Sequence, residues 1–297
     1  MANETDVMAG SARTPNQIIQ RITTVLPLLP VLIAALWWNT ISVTVVVAVA
    51  SFLGLREFFV GLRASQIVPY SRFSYVFGLC IVGAAYVQAT MAIDLLLPTV
   101  TIGILASMMS ALFTADSHQP LPAWALSFVA VIYVPLLLSH LILLRSITTP
   151  LSDGWISHLI TPGFAWVVMA LASTWLADTF AYFSGRAFGK HLLAPHISPK
   201  KTWEGSVGGL VGASLTGVFC VALLGLPIAL WQGALIGGLA GVIGPIGDLA
   251  ESQLKRQLGL KDVGSILPGH GGMLDRIDSV LFVVPVVYYL VRIWLVM

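Results

Sequence analysis

The chain has 297 residues, 57% of them hydrophobic and 9% charged, with a mean hydropathy of +0.91 and a formal net charge of +2. This excludes a soluble domain carrying an anchor and points to a polytopic membrane protein, since several apolar runs reach the ~20 residues that cross a bilayer as helix. No nucleic-acid partner is expected, and the placement of the charges says more than their sum.

Residues 1–20 are polar and contain no apolar signal-peptide core, so a cytoplasmic N-terminal segment is expected there. Hydropathy then predicts an all-α fold of nine spans, at about 22–38, 41–61, 73–90, 93–114, 123–144, 163–184, 206–226, 232–250 and 279–296. Spans one and two are separated only by Trp37-Trp38-Asn39-Thr40. With the N-terminus inside, Arg13, Arg21, Arg56, Arg63, Arg72, Arg186, Lys190, Lys200, Lys201, Lys255, Arg256, Lys261 and Arg276 all fall on the cytoplasmic side. Only Arg145 and Arg292 fall outside, leaving 13 of the 15 basic residues in accord with the positive-inside rule. Cys80 and Cys220 sit in apolar runs away from other metal-binding residues and are expected to be small buried hydrophobes.

Residues 21–160 read as a scaffold rich in Leu, Val and Ile, and residues 161–297 as a catalytic region. In the latter, Gly205 and Gly209, Gly208 and Gly212, and Gly233, Gly237 and Gly241 recur four apart, a spacing that lets helix backbones approach closely in lipid. Asp178 lies about 9 Å inside the expected end of span six, and an acid at that depth is a functional candidate by default. The competing role is a structural partner for Arg186 or a lysine.

After span six, Ser198-Pro199-Lys200-Lys201 resembles a helix start: a serine cap, proline in the first turn, and two lysines where exposed amides already favour an anion. Ordinary loop chemistry against anionic lipid competes with a phosphate cradle at these lysines. Lys255 and Arg256 offer the same chemistry after span eight. Asp248 stands near the end of span eight, behind Gly244 and Pro245, while Asp275 and Asp278 open span nine on one helical face. Acids in a first turn also complement the helix dipole, but that alone leaves Gly271, Gly272, His270 and Arg276 without a reason. Mg²⁺ is usually held by one or two carboxylates together with substrate phosphates, so Asp248, Asp275 and Asp278 suit one or two such ions.

Ser252, Lys255, Arg256, Lys261, Asp262, Gly264, Pro268, His270, Gly271, Gly272, Asp275, Arg276 and Asp278 follow the long gapped signature of the phosphatidate cytidylyltransferase family, which this chain resembles. The blocks Ser198 to Gly205 and Asp178-x-x-Ala181-Tyr182-x-x-Gly185-Arg186 match as well, so the resemblance covers roughly residues 170–280 by motif. It implies an all-helical membrane fold, a homodimer, and reaction of CTP with phosphatidate to give CDP-diacylglycerol and pyrophosphate. It also implies metal ligation at Asp248, Asp275 and Asp278. On this reading Lys201 joins the three aspartates as a catalytic group. Ser198, Lys200, Lys201, Lys255, Arg256, His270, Arg276 and Asp178 would bind substrate. Two rivals remain: a CTP-dependent polyprenol or phytol kinase, and a secondary transporter, against which stands the absence of an inverted repeat.

Overall fold

The computed structural model describes residues 29–112, 120–258 and 272–296. Ten helices appear there: α1 (Leu29–Trp38), α2 (Thr40–Ala64), α3 (Ser71–Met91), α4 (Leu96–Leu112), α5 (Pro120–Val131), α6 (Leu137–Arg145), α7 (Pro162–Phe188), α8 (Trp203–Leu224), α9 (Leu230–Gln257) and α10 (Leu274–Val296). A π-helical turn at Ile132–Leu136, containing Pro135, joins α5 to α6. Proline removes one helix hydrogen bond and crowds the preceding turn, which accounts for the local widening.

Counting α5 to α6 as one, seven of the described helices are long and apolar enough to span a membrane. The other two expected spans appear as α1 and α4, which are shorter apolar helices; the expected start of the first span lies outside the described residues. Several helices overshoot their apolar windows. α7 runs on to Phe188, α9 to Gln257, and α10 begins at Leu274. Hydropathy reports where lipid would be, whereas backbone hydrogen bonding carries a helix on into polar sequence.

Asn39 alone separates α1 from α2. Its side chain accepts from Ser42 N at 2.8 Å while Ser42 Oγ accepts from Asn39 N at 3.2 Å, a reciprocal cap that fixes the corner. The buried Arg145 guanidinium ends α6 and donates to the carbonyls of Leu36 and Trp37, both at 3.0 Å, neutralising the C-terminal end of α1. α2, α3 and the α5–α6 span pack around Leu55, Phe58, Phe59, Leu62, Ile81 and Val134, all essentially buried. Cys220 is buried as expected, but Cys80 is exposed on the outer face of α3: an apolar span has one side turned away from the core, and a hydropathy window cannot tell which.

The C-terminal half is assembled differently. α8 lies between α7 and α9 with backbones almost touching, so that a methyl group added at Gly217 would overlap the carbonyl of Gly233. α10 then packs on α9 and α6, joining the C-terminal helices to the N-terminal ones.

Candidate active site

The segment between α7 and α8 is an antiparallel hairpin, β1 (Leu192–Ala194) and β2 (Ser198–Thr202), with Leu192 opposite Thr202 and Ala194 opposite Ser198. The expected helix start at Ser198-Pro199 is therefore corrected. α8 begins at Trp203, and its cap is Thr202, whose Oγ1 accepts from Gly205 N at 3.2 Å. A proline suits the start of an edge strand as well as a first helical turn, and pairing with β1 satisfies backbone groups that the earlier start would have left open. Glu204 closes the base of the hairpin, accepting from Lys190 N at 3.1 Å, His191 N at 3.2 Å and His191 Nδ1 at 2.6 Å.

Strand alternation now separates the two lysines. Lys200 is exposed, whereas Lys201 turns inward and places Nζ 2.7 Å from Asp248 Oδ2 and 3.3 Å from the Pro245 carbonyl. Asp248 is held from its other side by Ser252, whose Oγ donates to Oδ1 at 3.3 Å. Asp178 and Asp278 both lie within coulombic reach of Asp248 and Lys201. Asp178 sits ten residues before the end of α7, about 15 Å by helical rise, deeper than the sequence implied because the helix is longer. It is exposed, and its competing partner Arg186 instead donates to Tyr182 Oη at 3.2 Å. Asp278 is held by Ser279 N, which donates to Oδ1 at 2.6 Å.

A second ionic group lies one turn along α9, where Asp248, Glu251, Ser252 and Lys255 follow the three- and four-residue spacing of a single face. Lys255 Nζ is 2.5 Å from both Glu251 Oε2 and Asp275 Oδ1, and Gly272 N donates to Asp275 Oδ2 at 3.0 Å. Asp275 thus has both oxygens engaged. Among the described residues no group of three or more acidic, histidine or cysteine side chains is gathered closely enough to hold a metal ion. Of the three expected metal ligands, Asp248 and Asp278 lie within coulombic reach of each other, while Asp275 is engaged by Lys255 and Gly272; carboxylates with substrate phosphates are the donors a hard cation would take.

Of the other expected binding residues, Ser198 is half-buried on β2, while Arg256 and Arg276 are exposed at the end of α9 and the start of α10. His270 lies outside the described residues, as do Lys261, Asp262, Gly264, Pro268 and Gly271 of the signature. Sequence reasoning gave no role to three groups. Glu251 is 2% exposed and pairs with Lys255, yet its Oε1 is buried without a hydrogen-bond partner among the described residues. Tyr133, on the π-helical turn, buries an equally unpartnered hydroxyl within coulombic reach of Asp278, Glu251 and Asp248. Glu57 is a 2% exposed acid inside α2. Each is a polar group in an apolar helix, and for Glu57 the rule that intramembrane acids are functional was the available signal.

These polar groups, drawn from positions as far apart in sequence as Glu57 and Asp278, are linked by ion pairs, hydrogen bonds and coulombic reach. The sequence profile of the cytidylyltransferase family matches residues 19–294. A phosphatidate cytidylyltransferase of Synechocystis sp. is 34% identical over 269 residues, covering 86% of this chain and 88% of that protein. Proteins of the same name are 47% identical over 123 residues in Staphylococcus saprophyticus and 44% over 139 residues in Bacillus subtilis; these matches cover 47% and 52% of those proteins. A profile spanning nearly the whole chain, together with a relative aligned along most of both lengths, makes this chain a member of the cytidylyltransferase family.

Proposed function

We propose that the chain is a magnesium-dependent phosphatidate cytidylyltransferase, joining CTP to phosphatidate to give CDP-diacylglycerol and pyrophosphate. The observation that carries this reading is the meeting of Lys201, Asp248, Asp178 and Asp278, from a strand and three helices, at one level of the bundle. The names of the relatives agree with it.

A phosphate monoester has a second pKa near 6, so phosphatidate arrives largely as a ready nucleophile and requires no strong base. One of its oxygens attacks the α-phosphorus of CTP while the bond from that phosphorus to the bridging oxygen breaks, and pyrophosphate leaves with the electron pair. The protein's work is positioning and charge neutralisation. Lys201 is held by Asp248 and the Pro245 carbonyl, so it is oriented before substrate binds and can turn to a triphosphate oxygen. Arg256, Arg276 and Lys200 add positive charge at the water-facing rim. Asp248 and Asp278 would hold Mg²⁺, which when bound supplies charge neutralisation on the triphosphate and the departing pyrophosphate. Asp275, committed to Lys255 and Gly272, is assigned to fixing the start of α10.

The lipid is taken to approach sideways. Trp175 and Tyr182 lie exposed on the same face of α7 as Asp178, an apolar-walled path towards the ionic groups. The reading places the site and the N-terminus on the cytoplasmic side of a bacterial inner membrane, and has the enzyme act as a homodimer.

The test is incubation of the purified protein with CTP, phosphatidate and Mg²⁺, scored for liponucleotide and for the phosphate-containing product. Equal yields of CDP-diacylglycerol and pyrophosphate are expected. Release of CDP would instead establish the lipid kinase, and substrate flux into liposomes without CTP would establish the transporter.

A further inference from the structure

Both ends of the segment that carries most of the family signature are tied to the same scaffold helix. α9 ends at Gln257, and the next residue, Leu258, presents its carbonyl to Ser65 Oγ, which donates at 2.9 Å from the C-terminal cap of α2. After residues 259–271 the described chain resumes at Gly272, and the amides of Met273 and Leu274 donate to Glu57 at 2.8 and 2.9 Å. Glu57 and Ser65 lie on one stripe of α2, eight residues and about 12 Å apart.

Several observations show that this contact is built. Glu57 is 2% exposed, so its carboxylate has been taken out of solvent to meet two backbone donors. Those donors are the first amides at the start of α10, which otherwise attract an anion. A methyl group at Gly272 would lie 2.7 Å from Glu57 Oε2, so the glycine is what admits the carboxylate. Gly54, one turn before Glu57, leaves room for Leu274, whose Cδ2 would lie 3.2 Å from a methyl group there.

We infer that Glu57 is a positioning residue of the transfer reaction: through its hold on the first turn of α10, paired with the Ser65 anchor beyond α9, the scaffold helix α2 sets where Asp275 and Asp278 stand relative to Asp248 and Lys255. The inference rests on the proposed reaction only for its consequence in turnover; the clamp itself is a matter of structure. It also redirects the substrate. With the Met273 and Leu274 amides filled by a carboxylate, the triphosphate is bound by side chains rather than by the start of α10.

The experiment compares Glu57→Ala, Glu57→Gln, Ser65→Ala and Val47→Ala in the full-length protein. Val47 is a buried α2 residue two to three turns away and serves as the control for loss of packing. Misplacing reacting groups by about 1 Å costs about 100-fold, so Glu57→Ala is expected to lower kcat by about that factor, with KM for CTP changed less than about threefold. Glu57→Gln keeps one carbonyl oxygen to accept from the two amides and should recover at least about tenfold of that loss. Hydrogen exchange, read at the Met273 and Leu274 amides, should accelerate in Glu57→Ala and stay slow in Val47→Ala. Unchanged kcat in Glu57→Ala, equal losses in Glu57→Ala and Val47→Ala, or glutamine no better than alanine would overturn the positioning role. If Glu57→Ala does not accumulate, Glu57→Gln and Ser65→Ala decide it on the same kcat against KM comparison. If the wild type makes no liponucleotide, the reaction assignment fails; the exchange rates then test the clamp alone, and fast exchange at both amides in the wild type would refute it.

Discussion

The two ionic groups on α9 stand one helical turn apart and are built on opposite plans. Around Asp248 the side chains are open: Lys201 is 24% exposed and Asp248 35%, with the exposed Asp178 nearby. Around Lys255 they are closed, Lys255 being 13% exposed and Glu251 2%. The first group is open to water, while in the second only Asp275, 22% exposed, reaches the surface to a comparable degree. A charge open to solvent contributes little stability but can exchange partners, whereas a buried pair is costly to break and stays where it is. The open group is therefore suited to chemistry and the closed group to holding the helices that carry it.

Removing divalent ions would test the open group most severely. Chelation is expected to abolish liponucleotide formation and added Mg²⁺ to restore it, and activity persisting through exhaustive chelation would remove the metal from the scheme. Asp278→Asn and Asp248→Asn should each lower kcat by about 10²–10³, the usual loss on deleting one preorganised electrostatic group, with the protein still extracted as a folded species. The closed group should fail in the other way. Lys255→Met leaves Glu251 and Asp275 as uncompensated acids and is expected to cost about 3–5 kcal/mol in an unfolding measurement. Lys201→Met should leave stability nearly unchanged while lowering turnover; if the two lysine variants behave alike, the division between the groups is wrong. Lys200→Ala should change kcat/KM less than about threefold at moderate salt, because Lys200 is exposed and screened.

Much of this was legible in the sequence. Apolar runs of bilayer length located the helices because lipid imposes that length, and the spacing of Asp275 and Asp278 placed both on one face of α10. Motifs assign Asp248 and Lys201 to one site, but as a metal ligand and a phosphate ligand rather than as the ion pair they form. Less legible was anything decided by a partner distant in sequence. Ser198-Pro199 has the composition of a helix start, and only the pairing with β1 turns it into a strand. Lys255 has the sequence setting of a phosphate ligand, and only its neighbours Glu251 and Asp275 show it already engaged. Glu57 lay unremarked inside an apolar helix because what gives it meaning is a pair of backbone amides 216 and 217 residues away.

That separation has a consequence for biogenesis. Glu57 is synthesised and delivered to the bilayer long before Met273 and Leu274 exist, so during translation α2 carries an acid with nothing to receive it. An uncompensated acid costs around 3 kcal/mol at the centre of a span on translocon scales, and Glu57, seven residues before the end of α2, carries a part of that cost until α10 is made. Chains truncated before residue 272 should accordingly be handled as unfinished by membrane quality control, and completion of α10 is the event that licenses α2.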